Sequence, residues 1–241
     1  MSKNISINSY NELEKAKNYD LKRGFDPKRK EEMLHVTLSA IIELTTKGST
    51  LLELGSGSGL FTKSIIESDH FSEIHVTDGA RAMLEIAKRK LSSPSSTLNY
   101  SILDFTQNSW SKSFDDHHIQ AVTSSMAIHH AENKTALFNE VFQVLKPGGI
   151  FVFADHIAGS SSLINQIIAN KRAKLKLGSK ATAQQIENFI VKDNKKQEAE
   201  GNKCESVINY LDYLQLSGFI DVDCLWRDYW LAVFIAKKPE E

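Results

Sequence analysis

The chain has 241 residues, 41% hydrophobic and 24% charged, and its 29 Lys plus Arg nearly balance 30 Asp plus Glu for a net charge of −1. Such a balance buries an ordinary core, excludes a wholly disordered chain, and gives no global pull toward nucleic acid or anionic membrane, although a local patch stays open. No apolar run approaches the roughly 18 residues that cross a bilayer, and two cysteines without a C-x-x-C pair exclude a disulfide framework or a cysteine-rich zinc site.

Residues 1–17 are polar and mixed in charge, unlike a signal peptide, so a cytoplasmic location is expected. The first 20 residues have few apolar anchors and read as a mobile arm or a short helix that orders on a ligand. Asp26 and Pro27 read as N-cap and first residue of a helix. Leu34, Leu38, Ile41, Ile42 and Thr45 follow at helical spacing, and Gly48 ends the segment. Short apolar runs then recur at residues 50–54, 74–78, 98–103, 119–124 and 150–154. Helical patterns lie between them at 60–68, 80–91 and 134–145. Strands alternating with helices of this length predict βαβ units, hence an α/β chain with a mostly parallel, doubly wound sheet. Lys146-Pro147-Gly148-Gly149 reads as a stop between helix and strand.

From 158 to 203 the alternation halts. Leu163, Ile164, Ile167, Ile168 and Leu175 suggest one amphipathic helix. Thr182-Ala183-Gln184-Gln185 reads as a capping box opening a second, with Ile186, Phe189 and Ile190 as its buried face. The segment reads as a helical lid inserted before a last helix over 205–216, in which Val207, Leu211 and Leu214 point inward. Two closing strands are expected at 219–226 and 229–236, turning at Arg227-Asp228, with Trp226, Tyr229 and Trp230 packing the hairpin.

The strongest signal is Glu53-Leu54-Gly55-Ser56-Gly57-Ser58-Gly59, after a strand and before a helix. Glycines there let a ligand touch the backbone. A dinucleotide fingerprint would need glycine where Leu60 stands, and a P-loop would need a lysine after Gly59, so pyrophosphate and triphosphate fit badly. Glu53 would repel an anion and welcome a cationic ligand head. Asp78 ends the second strand, 21 residues after Gly57, where an acid accepts from both ribose hydroxyls. Asp104 ends the third, where a carboxylate can accept from an adenine amine. Together they suit a phosphate-free adenosine with a charged amino-acid tail.

Through ELGSGSG, HVTDGARAML, ILDF, AVTSSMAIHH and FNEVFQVLKPGGIFVFAD, residues 50–158 resemble the class I S-adenosylmethionine-dependent methyltransferases. The resemblance implies a Rossmann-like seven-stranded sheet with an antiparallel last strand. It implies one domain over 1–241, with an N-terminal cap over about 1–47 and the lid over about 158–203. It also implies roles by position. Glu53, Gly55 and Gly57 surround the methionine portion of S-adenosylmethionine. Asp78 holds the ribose, with Gly79, Ala80 and Met83 beside the adenine. Asp104 and the Phe105 backbone read the adenine edge, and the Ser124 main chain meets the methionine amine. Tyr19 and Arg23 belong to a segment that closes over the cofactor, with Arg23 on the methionine carboxylate. His129 and His130 follow the fourth strand, where the methyl group should face its acceptor. One of them is the candidate base, His130 preferred, although positioning alone accelerates much of such a displacement. Asp155-His156 faces the same mouth, and no metal site is expected.

The function expected is methyl transfer to a small-molecule acceptor. Alternatives are modification of tRNA or another RNA, favoured by the basic lid, and cleavage or cyclisation of S-adenosylmethionine without methyl transfer. No membrane partner is expected, and the acceptor and the oligomeric state are not legible.

Overall fold

A computed structural model describes residues 4–12, 27–114 and 118–241. The short helix α1 (Ile5–Tyr10) is followed by α2 (Pro27–Leu44), β1 (Ser49–Leu54), α3 (Leu60–Glu67), β2 (Phe71–Asp78), α4 (Arg81–Lys90), β3 (Thr97–Ile102), β4 (Ile119–Ser125), α5 (Lys134–Val144) and β5 (Leu145–His156). The lid helices α6 (Ser162–Leu177) and α7 (Ala183–Ala199) come next, then α8 (Val207–Leu216), β6 (Ile220–Asp228) and β7 (Leu231–Lys237).

The seven strands form one sheet in the order β3-β2-β1-β4-β5-β7-β6. Strands β1 to β5 pair in parallel, and β7 runs antiparallel to both β5 and β6. The doubly wound sheet with an antiparallel last strand is therefore as expected. Because successive residues of a strand face opposite sides, the core divides in two. On one face Leu52, Val122, Phe151, Phe153 and Phe234 pack against α5 and α8 through Phe138, Tyr210 and Leu214. On the other, Leu51, Ile74, Ala121, Val152 and Val233 pack against α2 and α3 through Met33, Ile41, Phe61 and Ile65. Fully burying each of these large side chains is worth about 1.5–3 kcal/mol.

Several expectations need correction. The buried stripe of α2 is Met33, Thr37 and Ile41, four residues apart; Leu34, Leu38, Ile42 and Thr45 are only half-buried. Thr37 can join the core because its hydroxyl donates to the Met33 carbonyl at 2.8 Å. Asp26, the expected cap, lies outside the described residues. β5 begins at Leu145, so the Pro-Gly-Gly run sits inside a strand whose register shifts against β4 there. The last hairpin turns at Tyr229-Trp230, not at Arg227-Asp228, since Asp228 pairs with Leu231. Tyr229 takes the turn's positive φ of 52°.

The lid keeps its expected helices but not their expected burial. The Thr182–Gln185 capping box forms, with both side-chain-to-backbone bonds present. Yet α7 has no buried residue, and α6 buries only Ile168 and Ala173. Leu163 and Ile167 are exposed because the two helices pack mainly on each other and not on the sheet. In α8 the fully buried side chain is Tyr210, together with Leu214; Val207 and Leu211 pack at the margin.

Candidate functional site

Strand order reverses between β1 and β4, each of which has its next neighbour on the opposite side. A crevice opens outside the carboxyl ends of the strands at such a switch point. Here it is a cleft of about 900 Å³, open mouth included, lined by residues of α1, α2 and the ends of β1 to β4.

Gly55 and Ser56 leave β1 and line this cleft, as do Glu53, Asp78, Gly79, Ala80, Met83, Asp104 and Phe105. Gly55 has φ +68°, and a Cβ there would lie 2.5 Å from Ala127 Cβ and 3.3 Å from the Phe105 ring. The glycine thus lets the loop turn left-handed and keeps the backbone within reach of a ligand. Gly57 does not line the cleft. Its N–H donates to Asp78 Oδ2 at 2.8 Å, while Ala80 N–H donates to Oδ1 at 2.7 Å. Asp78 is thereby aimed by backbone at both ends, with spare lone pairs for ribose hydroxyls. Burial still pushes its carboxyl up to about 6, against those two hydrogen bonds.

Glu53 is 1% exposed and accepts from Thr62 Oγ1 at 2.6 Å. Burial raises its pKa to about 7; the Thr62 bond opposes this and the Asp78 charge adds to it. Two desolvated acids in one cleft favour a cationic ligand over an anionic one. Asp104 accepts from Thr106 N–H at 3.1 Å and Thr106 Oγ1 at 2.5 Å, which fixes its carboxylate at the mouth. Ser124 points into the sheet and donates to the Leu54 carbonyl at 2.8 Å. The lining begins one residue later, at Ser125, Met126 and Ala127.

The two histidines separate. His130 lines the cleft, and its buried Nδ1 has no hydrogen-bond partner among the described residues. Burial, reinforced by His129 and Lys134 and opposed by Asp155, lowers its pKa to about 3. It is therefore neutral at physiological pH. His129 lies beneath, 4% exposed, with its ring 4.1 Å from that of His130. Its Nδ1–H donates to the fully buried Asp155, whose other oxygen accepts the His129 backbone N–H at 2.6 Å. Burial pushes Asp155 up, but the charge and hydrogen bond of His129, helped by His156, outweigh it and leave its pKa lowered. The sequence placed Asp155-His156 at the mouth; Asp155 is instead an anchor inside the floor. Tyr19 and Arg23 lie outside the described residues.

The sequence expected an N-terminal cap over about 1–47 without naming Asn4, Ser6, Ile7, Tyr10 or Lys30, and Met126 was not singled out. Asn4, Ser6, Ile7 and Tyr10 of α1 wall the adenine side, with Ile7 packed directly on Gly79. Only the arm's sparse apolar residues hinted at that docking. Lys30 enters from α2. Met126 adopts φ +62°, a left-handed conformation in which strain is stored at functional positions. A wider hollow of about 1940 Å³, open solvent included, lies under α6 and α7 and is lined by Arg172, Asp193, Asn202 and Cys204 among others. Burial pushes the Cys204 thiol up to about 12, so it is no nucleophile.

The cleft suits an adenosine with an amino-acid tail: glycines where a Cβ would intrude, the acid Asp78 aimed by two backbone N–H groups, and the buried Ser56 hydroxyl with no partner among the described residues. Residues 52–153 match the family model described as a methyltransferase domain. The matched segment is a methyltransferase domain of the class I S-adenosylmethionine-dependent type. S-adenosylmethionine is the cofactor of that family.

Relatives of the chain differ in what they act on. It is 28% identical over 117 residues to malonyl-[acyl-carrier protein] O-methyltransferase 2 of Ilyobacter polytropus, covering 48% of this chain and 43% of that protein. The chain thus spans less than half the length of that curated relative. It is 25% identical over 217 residues to carboxy-S-adenosyl-L-methionine synthase of Hydrogenovibrio crunogenus, covering 83% of this chain and 79% of that one. Among solved structures, a chain from the complex between the Haloferax volcanii Trm112 methyltransferase activator and a methyltransferase superposes with TM-score 0.64 at 17% identity, covering 97% of both chains. At that identity the likeness is one of fold.

Proposed function

We propose that this protein transfers the methyl group of S-adenosylmethionine to a small-molecule acceptor by in-line displacement. The supporting observation is the set of three strand-end carboxylates, Glu53, Asp78 and Asp104, around a glycine turn with no phosphate cradle. S-adenosylmethionine, when bound, supplies a methyl group on a sulfonium. In this reading Asp78 holds the ribose, Asp104 and Phe105 face the adenine, and Glu53 meets the charged tail. Neutral His130 faces the cleft beyond them and orients the acceptor by hydrogen bonding. With a pKa of about 3 it is a weak base, so positioning carries more of the rate than proton removal. The lid and N-terminal helix complete one domain around the cleft.

One observation supports a second reading. The carboxy-S-adenosyl-L-methionine synthase match covers 83% of the chain, more than the methyltransferase domain at residues 52–153. An enzyme that rebuilds S-adenosylmethionine would need the same cofactor cleft. Calorimetry with the purified chain should show binding of S-adenosylhomocysteine and none of NAD. The reverse pattern would exclude both readings. Release of S-adenosylhomocysteine on turnover favours methyl transfer, and a modified S-adenosylmethionine favours the second.

A further inference from the structure

Charge is distributed unevenly around the cleft. Its cofactor wall is acidic, with Glu53, Asp78 and Asp104. Outside the cleft, where the first turn of α2 approaches the last hairpin and α6, lie several bases, two of them paired with acids. Arg29 binds Asp228 at 2.8 Å and lies over the Trp230 ring at 5.4 Å. From the lid, Lys171 lies 5.1 Å above Tyr229 and Arg172 lies 5.6 Å from Trp230. Arg172 also pairs with Asp193 at 3.0 Å. The whole 158–203 segment holds nine Lys and Arg against four acids.

Lys30 stands one residue beyond Arg29 and lines the cleft together with His130 and Met126. No hydrogen bond or ion pair engages its ammonium among the described residues. Burial alone lowers its pKa, with no carboxylate near enough to offset it. A half-buried ammonium without a counter-charge is costly unless a ligand brings one. The tail of the cofactor is expected at Glu53, Gly55 and Ser125 to Ala127, whereas Lys30 enters from α2.

We propose that the acceptor carries a carboxylate-class anion and that Lys30 binds it in the cleft. This rests on the reading of the cleft as the S-adenosylmethionine site and adds the class of its second ligand. The cationic cofactor then lies against acids and the anionic acceptor against Lys30, so each is repelled from the other's place.

The test uses the full chain saturated with S-adenosylhomocysteine. Malonate and phenylacetate, with their neutral amides malonamide and phenylacetamide, are titrated while backbone amide resonances are followed by NMR. The expected result is that the anions bind at least tenfold more tightly than the amides. Lys30→Met should erase that preference, and Lys30→Arg should restore most of it, while S-adenosylhomocysteine affinity stays within about twofold in both. Amides that bind as well as the anions, no binding by either anion, or a preference that survives Lys30→Met would each overturn the proposal. So would a Lys30→Met protein that loses S-adenosylhomocysteine but keeps methylthioadenosine, because the lysine would then serve the cofactor's own carboxylate. If the unmodified chain binds no S-adenosylhomocysteine, the cofactor reading fails; the same anion titration on the ligand-free chain still reads Lys30.

Discussion

Replacing Glu53 by Gln should make the ligand-free protein more stable and a poorer binder. The side chain is 1% exposed, and burial lifts its pKa from 4.5 to about 7. Below about pH 4.5 both folded and unfolded chains hold the proton, and the residue costs nothing. As pH rises from 4.5 to 7 the unfolded chain releases the proton and the folded chain retains it, so stability falls. Above 7 the full penalty stands, about 3 kcal/mol at 1.36 kcal/mol for each pH unit between the two pKa values. Gln removes the ionisation and keeps an oxygen for the Thr62 hydroxyl, which now donates to Glu53 at 2.6 Å. The substitution should therefore add about 2–3 kcal/mol at pH 8, or roughly 5–10 °C in Tm, and much less at pH 5. Calorimetric affinity for S-adenosylhomocysteine should fall by roughly 10–100-fold, since a charge-assisted hydrogen bond is worth about 1.5–3 kcal/mol. Methylthioadenosine, which lacks the amino-acid tail, should be less affected. Urea unfolding at the two pH values, with and without ligand, provides the measurement. Equal stability changes at pH 5 and pH 8 would refute the reasoning, because the penalty would not then come from a buried ionisation.

Asp78→Ala leaves the Gly57 and Ala80 N–H groups and the ribose hydroxyls without their acceptor, so S-adenosylhomocysteine affinity should drop by roughly 10–100-fold in calorimetry; an unchanged dissociation constant in a folded variant would show that the ribose is held elsewhere. Gly55→Ala places a methyl 2.5 Å from Ala127 Cβ at φ +68° and should lower Tm and block cofactor binding together; normal binding would contradict the close approach. His130→Ala should lower turnover with no loss of a pH inflection near 6.5, because the residue is already neutral there. Asp155→Asn should lower turnover through His129 while cofactor affinity persists, and normal rates would reduce that pair to packing.

The parallel sheet and the acidic lining of the cleft were legible because both are written locally. Alternating apolar runs fix β1 to β5, and the acids at strand ends need only the strand to be placed. Asp78 is one such case, its carboxylate then aimed by Gly57 and Ala80 from the adjoining turns. What escaped depends on contacts distant in sequence. Asp155 and His129 are 26 residues apart and meet only because β4 and β5 are neighbours. The lid's apolar spacing predicted a buried face, yet Ile186 and Ile190 line an open hollow instead, because α7 packs on α6 and not on the sheet. Periodicity says which residues share a helix face, not what that face meets.

The histidines show how burial bears on a role expected from sequence. His130 was preferred because it stands farther from β4 and can reach a substrate. It does line the cleft, but the same placement removes it from water beside His129 and Lys134, which drives its pKa to about 3. A residue sunk far enough to touch the substrate is thereby a poor proton acceptor and a good fixed dipole. Its partner His129 is held by Asp155 through both ring and backbone, so the floor beneath His130 is rigid. That combination favours orientation of the acceptor over its deprotonation, and it suits a displacement whose leaving group already departs as a neutral thioether.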